Sequence, residues 1–106
     1  MKIAIDFDGV IHDYKNPVPG RRMGPPIAGA KEALIALKDE FHEIIVFTVW
    51  GDEKGQKTIT DFMNYYELPF DSITNIKPRV DLYIDDKGLR FTNWEETMGA
   101  IQILNS

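Results

Sequence analysis

Apolar residues fall along this chain in two rhythms. Three apolar runs carry β-branched residues: Ile3-Ala4-Ile5, the continuous Ile44-Ile45-Val46-Phe47, and Val80-Asp81-Leu82-Tyr83-Ile84, interrupted only by Asp81. Runs of this kind predict buried strands of a parallel sheet, because strands covered by crossover helices lose the polar half of the usual alternation. Between and after them the spacing changes to three and four. Ala30, Ala33, Leu34 and Leu37 make one helical stripe, beginning near Ile27. Ile59, Phe62, Met63 and Tyr66 make a second, and Trp94, Thr97, Met98, Ile101 and Leu104 a third. Such stripes predict amphipathic helices. Residues 70–74 read as a short weak strand and residues 89–91 as a short edge strand. Gly51 opens the second helix, Pro69 ends it, and Asn93 caps the third.

The order is thus β-α-β-α-β-β-β-α, with no repeat and no low-complexity segment. It predicts an α/β fold: a single three-layer, Rossmann-like domain, its mostly parallel sheet carrying helices on both faces. A length of 106 residues fits one domain, 1–106. Residues 11–25 hold Asn16-Pro17-Val18-Pro19-Gly20 and Gly24-Pro25-Pro26. Prolines and glycines at that density predict a loop, lying over the end of the first strand.

Chemistry gathers at the strand ends. The first strand runs into Asp6-Phe7-Asp8-Gly9. Residues two apart on an extended chain point the same way, so Asp6 and Asp8 would repel each other if buried and unpaired. A divalent cation such as Mg²⁺, which takes oxygen ligands, is the simplest compensation. The other reading is a strand end entering an ordinary turn, since Asp and Gly are common turn residues. Thr48 ends the second strand, Lys77 precedes the strand at 80–84, and Asp85-Asp86 ends it. In parallel sheets ligands bind beyond the carboxyl ends of the strands. With the first strand central, these features meet at one rim. There Asp6 and Asp85 can hold a metal, while Thr48, Lys77 and the turn's backbone N–H groups can hold a phosphate. A carboxylate can then attack phosphorus, with Asp8 as the proton donor and acceptor.

Composition narrows the field. There is no cysteine, which excludes disulfides, thiolate metal sites and a cysteine nucleophile. No apolar run approaches the roughly 18–20 residues of a membrane helix, so no membrane association is expected. The amino-terminal residues do not form a signal-peptide pattern, and a cytoplasmic location is expected. The net charge of −5 argues against a broad nucleic-acid surface, leaving only Lys15, Arg21 and Arg22 as a small basic cluster. His42 lies at the far end of the second strand from the rim and reads as a surface or strand-edge residue.

These motifs resemble those of haloacid dehalogenase-like (HAD) phosphohydrolases. Asp6-Phe7-Asp8-Gly9-Val10 is similar to the family's first motif, Asp-x-Asp-Gly-Thr/Val. Ile44-Ile45-Val46-Phe47-Thr48 resembles the second, Lys77 the lone lysine of the third, and Leu82-Tyr83-Ile84-Asp85-Asp86 the fourth. Pro26-Ile27-Ala28-Gly29-Ala30 looks like the start of the family's first helix. The resemblance covers residues 3–91 and implies a Mg²⁺-dependent phosphatase acting on phosphomonoesters through an aspartyl-phosphate. It implies Asp6 as nucleophile and metal ligand, and Asp8 as general acid and base with its carbonyl on the metal. Thr48 and Lys77 would hold the phosphoryl group, Asp85 would bind the metal directly, and Asp86 would do so through water or as an orienting partner. Lys77 lies closer to Asp85 than in many members, which keeps Lys87 as a rival. The chain has no cap domain and resembles the small capless members.

Two other classes compete. One is a receiver-like phospho-acceptor module, which also gathers acids, a Thr and a Lys around Mg²⁺. It carries its acceptor Asp on a middle strand, where this chain has Thr48. The other is a polynucleotide 3′-phosphatase or nuclease, with Lys15, Arg21 and Arg22 as its footprint. The expected partner is a phosphorylated small molecule or a phosphorylated polymer end. Its selection falls to residues 11–25, a candidate lid with His12, Tyr14, Arg21 and Arg22, and to Trp50.

Overall fold

The computed structural model describes residues 1–13, 24–48, 53–76, 78–85 and 91–104. Its elements are β1 (Lys2–Asp6), α1 (Ala30–Asp39), β2 (Glu43–Phe47), α2 (Glu53–Tyr65), β3 (Ser72–Thr74), β4 (Leu82–Ile84) and α3 (Trp94–Leu104). All four strands run parallel, in the order β3-β2-β1-β4, flanked by the helices. The first strand is therefore an inner one with a neighbour on each side, the position that the meeting of features at one rim requires. A radius of gyration of 13.1 Å is that of a single domain of this length. No helix among the described residues is long and apolar enough to cross a membrane.

The sequence stripes become the core. Ile3, Ile5 and Phe7 alternate on one face of β1, and Ile44, Val46 and Ile84 pair beside them in register. Against them lie Ala30, Ala33, Leu34 and Leu37 of α1, Ile59, Phe62 and Met63 of α2, and Trp94 and Ile101 of α3. All these residues join one continuous apolar cluster. Ala4 and Ile45, on the opposite face of their strands, are buried outside that cluster.

Both edge strands are three residues long, shorter than the apolar pattern predicted. Each is preceded by an aspartate that brackets a residue of the neighbouring strand. The Asp71 N–H donates to the Ile44 carbonyl at 2.9 Å, while its carboxylate accepts the Ile44 N–H at 2.7 Å. Asp81 does the same to Lys2, donating to its carbonyl at 2.9 Å and accepting its N–H at 2.6 Å. A carboxylate thus stands in for the next carbonyl of the ladder, and both edges are pinned at their amino-terminal ends.

Helix α1 starts at Ala30, later than Ile27. The Ile27 N–H donates to the Ile11 carbonyl at 2.8 Å, holding that residue in extended pairing. Gly29 then turns the chain with φ at 87°. A β-carbon there would lie 3.3 Å from the Trp94 Cβ, so the glycine also lets α3 approach α1. His42 is at the predicted end of β2 but is not a surface residue: it is only 2% exposed, with Nδ1 2.9 Å from the Met1 amino nitrogen. Its backbone N–H donates to the Leu37 carbonyl at 3.1 Å, at the close of α1.

Gly29→Ala should lose about 1–3 kcal/mol of stability, from the left-handed backbone and the Trp94 contact together. Gly99→Ala, in α3 with nothing within 4 Å of the added carbon, should gain about 0.5–1 kcal/mol. Urea unfolding of the two variants checks the opposite signs.

Asp71 gives a pH-dependent test. Burial pushes its carboxyl toward the neutral form, but the hydrogen bond from Lys38, the Ile44 N–H and the Lys38 charge outweigh this and hold its pKa below the ordinary 3.8. A folded pKa below the unfolded one adds stability that is fully present above pH 3.8 and is lost as pH falls through the lower, folded value. Asp71→Asn should therefore lower Tm by about 4 °C at neutral pH, a loss of about 1 kcal/mol. The gap to the parent protein should narrow in thermal scans as pH falls below 3.8 and through the lower, folded value.

Candidate functional site

Parallel register brings the acids together. Ile5 is paired with Ile84, so the next residues, Asp6 and Asp85, leave the sheet side by side. Adjacent strands lie about 4.8 Å apart. Asp6, Asp8, Gly9, Val10, Asp85 and Phe91 line one cleft of about 260 Å³ at this rim. Residues from two distant stretches, three of them aspartates, thus line one small space.

A tight turn beyond β1 shapes the cleft. The Phe7 carbonyl accepts the N–H groups of Val10, Ile11 and His12 at 3.4, 3.0 and 2.9 Å. Gly9 takes φ of 82° and donates its N–H to the His12 carbonyl at 2.9 Å. A residue with a β-carbon would be strained there, so glycine is what lets the chain curl back. The amides of residues 9–12 are consumed inside the turn. The expectation that they would be offered to a phosphate does not hold for these four. Trp94 supports the turn from below, its indole N–H donating to the Val10 carbonyl at 3.2 Å.

His12 was expected in an access loop. Its side chain is instead packed into the protein, 4% exposed. The ring stacks on Phe7 at 5.2 Å and meets the edge of Phe62 at 5.5 Å. Its Nδ1 lies 2.9 Å from Asp8 Oδ1, and its Nε2 accepts the Gly24 N–H at 2.9 Å. This contact with Asp8 was not legible in sequence, where the only signal was a lone histidine four residues past an acid. Phe91, read as part of an edge strand, lies outside any strand and lines the cleft.

Thr48 follows Phe47 at the same end of the sheet, and its N–H donates to the Thr74 carbonyl at 3.0 Å. It is 2% exposed and is not among the residues lining the cleft. Tyr14, Arg21, Arg22, Trp50, Lys77, Asp86 and the rival Lys87 lie outside the described residues.

The donor set suits a hard cation of magnesium type. Among the described residues no group of three or more His, Cys, Asp or Glu side chains is arranged to hold a metal ion. Mg²⁺ does not need one, since it commonly takes one or two carboxylates and fills its remaining positions with water and phosphate. Asp6 and Asp85 line the cleft and could supply such carboxylates, and the Asp8 backbone carbonyl would be a further oxygen in the same turn.

No protein-family model and no curated protein matches the chain. Two solved structures do. The chain is similar to a conserved protein of Bacteroides thetaiotaomicron, at 26% identity with a TM-score of 0.79, covering 100% of this chain and 93% of that one. It is also similar to a protein of Vibrio cholerae whose crystal structure is known, at 22% identity with a TM-score of 0.59, covering 95% and 96%. Together with the strand order they define the class: a small α/β domain with an all-parallel, Rossmann-like sheet.

Proposed function

We propose that this chain is a Mg²⁺-dependent phosphomonoester hydrolase of the haloacid dehalogenase-like type. One observation carries the reading: Asp6, Asp8 and Asp85 line a single cleft at the carboxyl ends of two adjacent parallel strands. The Asp6 carboxylate attacks phosphorus, and the bond from phosphorus to the ester oxygen breaks. Asp8 gives its proton to the departing alcohol. A water molecule then attacks the aspartyl-phosphate, passing a proton to Asp8, and inorganic phosphate leaves with Asp6 restored. Asp6, Asp85 and the Asp8 carbonyl would hold Mg²⁺, which when bound offsets the negative charge of the carboxylates and the phosphoryl group. By the family resemblance Thr48 and Lys77 would hold the phosphoryl oxygens, but Thr48 is buried at the same end of the sheet without lining the cleft, and Lys77 lies outside the described residues.

A purified sample with Mg²⁺ should release phosphate from an aryl phosphate, lose this with a chelator and regain it on adding Mg²⁺. Asp6→Asn should leave no turnover in a folded protein, and Asp8→Asn should lower kcat by about 10²–10⁴-fold. A screen of sugar phosphates, nucleotides and end-phosphorylated oligonucleotides would then rank substrates. Phosphate release that survives Asp6→Asn would overturn the proposal. Labelling of Asp6 without turnover would point to a phospho-acceptor module, and cutting of internal phosphodiesters to a nuclease.

A further inference from the structure

We infer that His12 is a positioning residue for Asp8, fixing which carboxylate oxygen handles the proton. The inference rests on the phosphatase reading for its catalytic consequence, and on hydrogen-bond geometry alone for its physical content. The Gly24 N–H is a backbone amide and can only donate, so His12 Nε2 accepts it at 2.9 Å. A neutral imidazole that accepts at one nitrogen carries its hydrogen on the other. Nδ1 therefore donates to Asp8 Oδ1, 2.9 Å away. The tautomer is set by the protein backbone.

The ring has little freedom to do otherwise. It lies between Phe7, stacked at an interplanar angle of 17°, and Phe62, met edge-on at 78°. Its own backbone is held at both ends, the N–H on the Phe7 carbonyl and the carbonyl on the Gly9 N–H. The Asp8 side chain is 35% exposed and borders the cleft, whereas the His12 side chain is 5% exposed. With Oδ1 tied to a buried donor, Oδ2 is the oxygen that holds and passes the proton. Buried partners of this sort fix the orientation of a working group and prevent it from sampling unproductive rotamers.

Two substitutions separate orientation from support. The amide of an asparagine reaches the place of Nδ1, and that of a glutamine reaches the place of Nε2. His12→Asn keeps a donor for Asp8 and drops the acceptor for Gly24. His12→Gln keeps the acceptor and drops the donor. Proton donation matters most for a poor leaving group, so the readout is kcat on an alkyl phosphate relative to an activated aryl phosphate. His12→Gln should lower this ratio by about 10-fold or more, a share of the 10²–10⁴ that general acid catalysis supplies. His12→Asn should leave the ratio near that of the parent protein, even if its Tm falls. Equal loss on both substrates in both variants, following Tm, would overturn the inference.

A second measurement is independent of activity. Nitrogen-15 NMR of the parent protein at neutral pH should place the His12 hydrogen on Nδ1, and finding it on Nε2 would overturn the inference whatever the enzyme does. If the parent protein hydrolyses no phosphomonoester, the phosphatase reading fails and the catalytic role of His12 fails with it, while a hydrogen on Nδ1 still upholds the contact itself.

Discussion

The pairing of β1 with a parallel neighbour on each side is the constraint on which the rest of the molecule depends. Parallel strands that start level also end level, so three carboxyl ends arrive at one rim. That register sets Asp6 beside Asp85, although 79 positions separate them in the chain. It also has a cost. Carboxylates gathered in a space of about 260 Å³ repel one another. A fold that relied on that rim for stability would be working against itself. Stability comes instead from the other parts: the cluster under Ile3, Ile5, Ile44 and Val46, and the amino-terminal ends of the edge strands.

Those ends show a division of labour among aspartates. Asp71 and Asp81 each accept a backbone N–H from the next strand, and Asp71 is further held by Lys38 at 2.8 Å. At the opposite end of the sheet Asp6, Asp8 and Asp85 border open space. One residue type serves two purposes, and position along the strand decides which. A carboxylate before a strand finds a backbone donor, because the neighbouring strand still has an unpaired N–H there. A carboxylate after a strand faces the groove left where the sheet stops.

This contrast also explains what could be read in advance. Strand ends were legible because apolar runs such as Ile44–Phe47 have visible limits and their order implied a parallel sheet. The meeting of Asp6 with Asp85 followed from that order. The clamps were not legible, since Asp81 stands inside the run Val80–Ile84 and reads as part of the strand. Only the three-dimensional ladder shows it pairing with Lys2. His12 was hidden for a related reason. Its partner on one side is four residues away, but on the other it is a backbone amide twelve residues on, at Gly24. No residue type announces a backbone partner. Phe91 escaped because β-rich composition around it suggests a strand, whereas its place is set by packing against Trp94, ring to ring at 5.3 Å.

Trp94 touches both the turn and the start of α1. Its indole N–H holds the Val10 carbonyl, and its β-carbon stands where a side chain at Gly29 would need to go. The first residue of α3 thereby presses at once on the turn that carries Asp8 and on the start of α1. Two residues of the turn, Val10 and Ile11, are themselves buried in the core. The cleft stands beside buried apolar residues, Phe7, Val10, Ile11 and Trp94, that belong to the main core cluster. It is polar only along its lip, where Asp6, Asp8 and Asp85 stand. Charge above a packed base is the arrangement that the proposed phosphoryl transfer would ask for. Such chemistry would need placed charges more than moving parts, since a misplacement of about 1 Å can cost about 10²-fold in rate.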